Sequence, residues 1–174
     1  MAKVITLTLT FTLIFTSCKD DSGNIDVTTP NSEPNVLMII ADDLGKDACI
    51  GYSEGAQKPN MPRLDAILKE GIVFNNFWVH PLCTPTRSSI LTGKFPLRND
   101  MLEVGNVLAV SEKSLHSFID EQTGSAYASA VIGKWHVGTG ANHPERMGVP
   151  HYSGLLSGGV QSYTEWRWTH DGIN

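Results

Sequence analysis

Val36-Leu37-Met38-Ile39-Ile40-Ala41, stopped by Asp42-Asp43, is the stretch on which the fold reading turns. A continuous apolar run of this length predicts a central strand buried on both faces, the kind from which parallel sheets are built. Toward the C-terminus, Pro62 in a first-turn position, Leu64, Ile67 and Leu68 at helical spacing and Gly71 after them predict a helix. Ile72 to Val79, rich in aromatic and branched residues, predicts a second strand. Ser88 to Leu91 predicts a short helix closed by Gly93, with Cys83 to Arg87 at its N-terminal entrance. Ser111 reads as the N-cap of a further helix whose apolar stripe is Leu115, Phe118 and Ile119. Ala128 to Ile132 predicts another strand, ending at Gly133-Lys134-Trp135-His136. Alternating strand and helix signals give an α/β class with a mostly parallel sheet. In such sheets ligands gather beyond the carboxyl ends of the strands, where Asp42-Asp43 and Lys134 to His136 both fall.

Toward the N-terminus the character changes. Lys3, the uncharged stretch Val4 to Phe15 and then Thr16-Ser17-Cys18 have the layout of an export signal, and the apolar part is too short to span a bilayer. Residues 1–18 are therefore expected to be a signal peptide. Its end resembles a bacterial lipobox with Phe15 in place of the usual Leu, which makes Cys18 a candidate for lipidation and the periplasm or cell envelope the expected location. Residues 19–34 read as a polar tether, and residues 35–174 as the globular part. The 174 residues, 41% of them hydrophobic, suffice for one domain with a sizeable core. Eighteen carboxylates against 13 Lys and Arg, with no basic cluster, argue against a nucleic-acid partner.

Three constellations carry candidate chemistry. Asp42-Asp43 sets two carboxylates side by side, which a hard cation such as Ca2+ or Mg2+ would relieve; a polar turn after a strand explains the pair equally well. Cys83-Thr84-Pro85-Thr86-Arg87 puts a thiol at a helix entrance beside a guanidinium, where helix amides and Arg87 both attract negative charge. The competing account is a disulfide, since Cys49 and Cys83 remain once Cys18 is set aside. Lys134 and His136, two apart on an extended segment, are expected to face one anion together, against the plainer account of a solvated lysine and a structural histidine. Trp135 reads as packing. Trp166 to Gly172 reads as a strand followed by a turn.

Cys83-Thr84-Pro85-Thr86-Arg87 followed by Ser88-Ser89-Ile90-Leu91-Thr92-Gly93 resembles the C-x-P-x-R signature of type I sulfatases and the helix that continues it into L-T-G. V-L-M-I-I-A-D-D-L-G from Val36 resembles that family's opening strand and metal-binding pair. N-M-P-R-L-D-A-I-L-K-E-G-I-V-F-N-N-F-W-V from Asn60 resembles the family's next segment, and Gly133-Lys134-Trp135-His136-Val137-Gly138 its next active-site motif. These motifs cover most of Asn35 to Gly138 in the family's order.

The resemblance implies an alkaline-phosphatase-like α/β sandwich, of which this chain holds the N-terminal part, and a sulfuric ester hydrolase activity. It implies that Cys83 is oxidised by a formylglycine-generating enzyme to 3-oxoalanine, a covalent change that the sequence itself does not display. Asp42, Asp43 and residue 83 would ligate Ca2+, with Mg2+ as the other candidate. Arg87 would hold the hydrated aldehyde, Lys134 would clamp sulfate oxygens and His136 would take a proton during turnover. The expected substrate is a sulfated carbohydrate or other sulfate ester, with a membrane contact only through the N-terminal lipid. The family's further metal ligands, an Asp and an Asn, and a further Lys and His come from a segment well downstream, so an incomplete catalytic domain is expected. The rival readings are a phosphomonoester or phosphonate hydrolase of the same superfamily, and a surface lipoprotein that binds sulfated glycans without turnover.

Overall fold

Parallel pairing, the mark of an α/β sheet, joins β1 (Ala130–Lys134) to β2 (His151–Leu155) in a computed structural model that describes residues 34–173. The signal peptide, the lipidation candidate Cys18 and all of the tether except Pro34 lie outside those residues. From Val36 onward the chain makes up one compact unit. Its sheet runs β1-β2-β3, with β3 (Thr169–His170) antiparallel to β2. The predicted strand over 128–132 thus begins and ends two residues later, and the strand-then-turn reading of 166–172 holds at β3.

Helix α1 (Pro62–Glu70) starts with its proline in the first turn and ends at Gly71, as its sequence predicts. Helix α2 (Cys83–Thr92) starts at the candidate nucleophile itself. It closes on Gly93, whose φ of 66° suits a residue without a β-carbon and whose N–H caps the Ser89 carbonyl at 2.8 Å. Helix α3 (Leu115–Thr123) is capped by Ser114 rather than the expected Ser111. The Ser114 hydroxyl accepts from Ser117 N at 3.0 Å and donates to the Met147 carbonyl, a tertiary partner that draws the helix start three residues on. Short α4 (His143–Arg146) leads into β2.

Two predicted strands do not form. Val36 to Ala41 and Ile72 to Val79 are irregular and mostly exposed, with Leu37 84% and Trp78 90% accessible. An apolar strand is stable only where neighbours accept its backbone hydrogen bonds and cover its faces. Within the described residues the sheet stops at β1 and supplies neither. The core lies instead around the β1 end and its following loop: Leu91, Met101, Leu108, Trp135, Val137, Met147, Val149 and Tyr152 are buried together.

Tyr152 ties this core to the strand pair. Its hydroxyl donates to the Gly133 carbonyl at 3.1 Å, and its N–H reaches the Asp171 carboxylate at 2.8 Å. Burial pushes the phenol up to about 12, against an opposing pull from Arg87, while an unfolded tyrosine titrates near 10.0. A raised folded value means a contribution that is complete below the unfolded value and is lost as pH rises toward the folded one. Between about pH 9 and about pH 11.5 the urea midpoint is therefore expected to fall more steeply in the natural chain than in Tyr152→Phe. Equal slopes would mean that the hydroxyl ionises as freely in the fold as outside it.

Candidate active site

Residue 83 opens α2 and Arg87 follows one turn later, so the helical period alone sets them on one face. β1 ends at Lys134 opposite that face. Arg87 Nη1 donates to the Lys134 carbonyl and Arg87 Nη2 to Asp42 Oδ2 at 3.0 Å; Lys134 Nζ reaches the same oxygen at 2.7 Å. The hydrogen bond from Lys134 is the largest influence holding the Asp42 carboxyl below its ordinary range, burial opposes it, and Arg87 adds to the lowering. Two largely buried cations thus converge on one carboxylate, which brings the end of the apolar run at 36–41 to the junction of α2 and β1.

His136 completes the group from the other side. Its Nδ1 stands 3.1 Å from Cys83 Sγ, and its carbonyl accepts from the Thr84 hydroxyl, also at 3.1 Å. Its φ is 56°, the left-handed region that a histidine seldom occupies. The period-two argument from Lys134 therefore stops at the strand end: Lys134 turns to Asp42 and His136 to Cys83, and they meet the site by separate contacts. Burial is the main cause that lowers the His136 pKa, with Lys134 and Arg87 adding and Asp42 opposing. The neutral ring so favoured, when protonated on Nε2, offers Nδ1 as a proton acceptor toward residue 83. Gly158 passes close over the ring, where a β-carbon would come within 2.5 Å of it.

Cys83, Arg87, Lys134, His136 and Asp42 are brought together. Asp43 is exposed, with a left-handed φ of 55° and no hydrogen bond or ion pair within the described residues. Cys49 and Cys83 are both free thiols, which removes the disulfide account. No group of three or more His, Cys, Asp and Glu able to hold a metal occurs among the described residues. With Asp42 Oδ2 already shared by two cations, Asp42, Asp43 and Cys83 do not make a metal cage by themselves. Sequence reading missed Thr84, whose buried hydroxyl fixes the His136 backbone; a threonine inside a signature carries no mark of that contact.

A thiol facing an imidazole, flanked by two cations at a strand-helix junction, is a nucleophile-and-base arrangement on an α/β frame. The family model described as Sulfatase matches residues 34–167, and the chain belongs to that family. It is 36% identical to the ulvan-active sulfatase of Formosa agariphila over 78% of this chain and 25% of that protein. It is 30% identical to arylsulfatase J of Mus musculus, covering 84% and 25%, and 31% identical to N-acetylgalactosamine-6-sulfatase of Homo sapiens, covering 70% and 25%. The chain spans about a quarter of the length of the curated relatives it matches.

Proposed function

We propose that this chain carries the nucleophile-bearing part of a sulfatase active site and that the protein hydrolyses sulfate monoesters, with an extracellular sulfated carbohydrate as the substrate class. The observation that supports it most is the 3.1 Å approach of His136 Nδ1 to Cys83 Sγ beside Arg87 and Lys134. A sulfate monoester carries negative charge on its non-bridging oxygens and gains more on the leaving oxygen as the S–O bond breaks. Lys134 clamps the sulfuryl oxygens, and Arg87 holds residue 83 and adds positive charge. His136 takes a proton from residue 83, a role suited to a ring whose charged form is disfavoured. Oxidation of Cys83 by a formylglycine-generating enzyme supplies a hydrated aldehyde, a nucleophile with an elimination route that a plain alcohol lacks.

Asp42 and Asp43 offer the oxygen donors that Ca2+ or Mg2+ takes. They fall short of the six to eight oxygens usual for Ca2+. Export through residues 1–18, lipid attachment at Cys18 and a periplasmic or envelope location belong to the same reading. The names of the ulvan-active sulfatase and the N-acetylgalactosamine-6-sulfatase support a glycan substrate, while arylsulfatase J is named for aryl esters.

The test is the intact mass of the peptide containing Cys83 after expression with a maturation enzyme. A loss of about 18 Da relative to the thiol is expected, the difference between a –CH2SH and a –CHO side chain. Hydrolysis of sulfate esters by protein whose residue 83 is still a thiol would overturn the assignment of a formylglycine nucleophile.

A further inference from the structure

Trp135, between the two site residues Lys134 and His136, is held by a buried histidine that the proposed chemistry does not use. The indole Nε1–H can only donate, and it donates to His143 Nδ1 at 3.0 Å. That nitrogen therefore carries no proton, and the ring proton sits on Nε2, which donates to the Leu108 carbonyl at 2.9 Å. Both ring nitrogens are used and one neutral tautomer is fixed, in a residue that is only 5% exposed. The Leu108 N–H in turn donates to the Val137 carbonyl at 2.9 Å. The circuit Trp135, His143, Leu108, Val137 thus grips the chain immediately before and immediately after His136. The indole is further wedged edge-on between the His143 and Tyr152 rings, each 5.9 Å away. Gly138 leaves room for the arrangement, since a β-carbon there would stand 2.3 Å from the His143 ring.

A left-handed histidine persists only where its surroundings over-determine it, and this circuit brackets the one at 136. We infer that His143 is a positioning residue: through Trp135 and Leu108 it fixes the backbone on both sides of His136 and so sets the imidazole against residue 83. The inference rests on the sulfatase reading of the site, but its test needs no sulfate ester.

The full chain, produced without the maturation enzyme so that residue 83 remains a thiol, is treated with iodoacetamide. Alkylation of Cys83 and Cys49 is followed separately by peptide mass, with Cys49 as the internal control. His143→Phe keeps a ring of similar size and removes both hydrogen bonds. It is expected to slow Cys83 about tenfold and leave Cys49 unchanged, because the thiol loses its proton acceptor. In His143→Gln the amide oxygen and nitrogen replace the acceptor and the donor, and the rate should return to within about threefold of the natural chain. A Cys83 rate in folded His143→Phe within about twofold of the natural chain overturns the inference. Should that variant not fold, Trp135→Phe, which deletes only the indole N–H donor from the circuit, must show the same selective slowing; an unchanged rate there is equally fatal. Selective slowing in a chain whose Cys83 the maturation enzyme leaves a thiol would defeat the formylglycine sulfatase reading and leave this inference standing.

Discussion

Cys83→Ser, expressed with the maturation enzyme, is expected to lower sulfate-ester hydrolysis by at least about a thousandfold, the scale on which loss of a covalent nucleophile is felt. The side chain would still open α2 and still face His136 Nδ1, so the fold and the local charges change little. What disappears is chemistry. A serine hydroxyl can attack sulfur, but the resulting ester has no second hydroxyl from which His136 can take a proton to expel sulfate, so turnover stops after one event. The measurement is hydrolysis of a chromogenic sulfate ester, with a first-turnover burst sought in the variant. Steady turnover by Cys83→Ser at the natural rate would mean that residue 83 is not the nucleophile.

Gly154→Ala is expected to cost about 3 kcal/mol or more in unfolding free energy, at the upper end of what overpacking costs. In the parallel register Gly154 lies opposite Gly133. A β-carbon on Gly154 would stand 2.0 Å from the Gly133 carbonyl oxygen and 2.6 Å from its carbon. Those are backbone atoms, so no side chain can swing aside, and relief requires β1 and β2 to part. Because Lys134 follows Gly133 directly, the same movement disturbs the cationic side of the site. Gly93→Ala is the control: its φ of 66° is left-handed, unlike that of Gly154, and its β-carbon would meet nothing within 4 Å. It should cost only the backbone strain, about 1–2 kcal/mol. Urea denaturation of both variants tests the contrast, and equal losses would show that the close strand contact is not what position 154 requires.

The reach of sequence reading follows the reach of the forces involved. Pro62 and Gly71 mark the ends of α1, and Gly93 the end of α2, because start and stop chemistry acts within a turn. Cys83 and Arg87, expected at the entrance of a helix over Ser88 to Leu91, lie within α2 on one of its faces, and their signature resembles the family on residue order alone. The local pattern places the α3 cap at Ser111 rather than at Ser114, since the deciding partner, the Met147 carbonyl, is 33 residues from Ser114. The apolar run at 36–41 has the composition of a central strand, but composition cannot supply the neighbouring strands that such a run needs.

By itself the sequence singled out Asp42, Cys83, Arg87, Lys134 and His136 as candidates, because residue type fixes charge and nucleophilicity, while Thr84 and His143 carry no such mark. Tertiary structure alone decided that Asp42 is shared by Arg87 and Lys134, that His136 leaves the strand period to face Cys83, and that His143 stands behind Trp135. Those contacts join residues 8 to 92 positions apart. Their geometry is fixed by packing and by the need to pair buried polar groups, which no local pattern encodes.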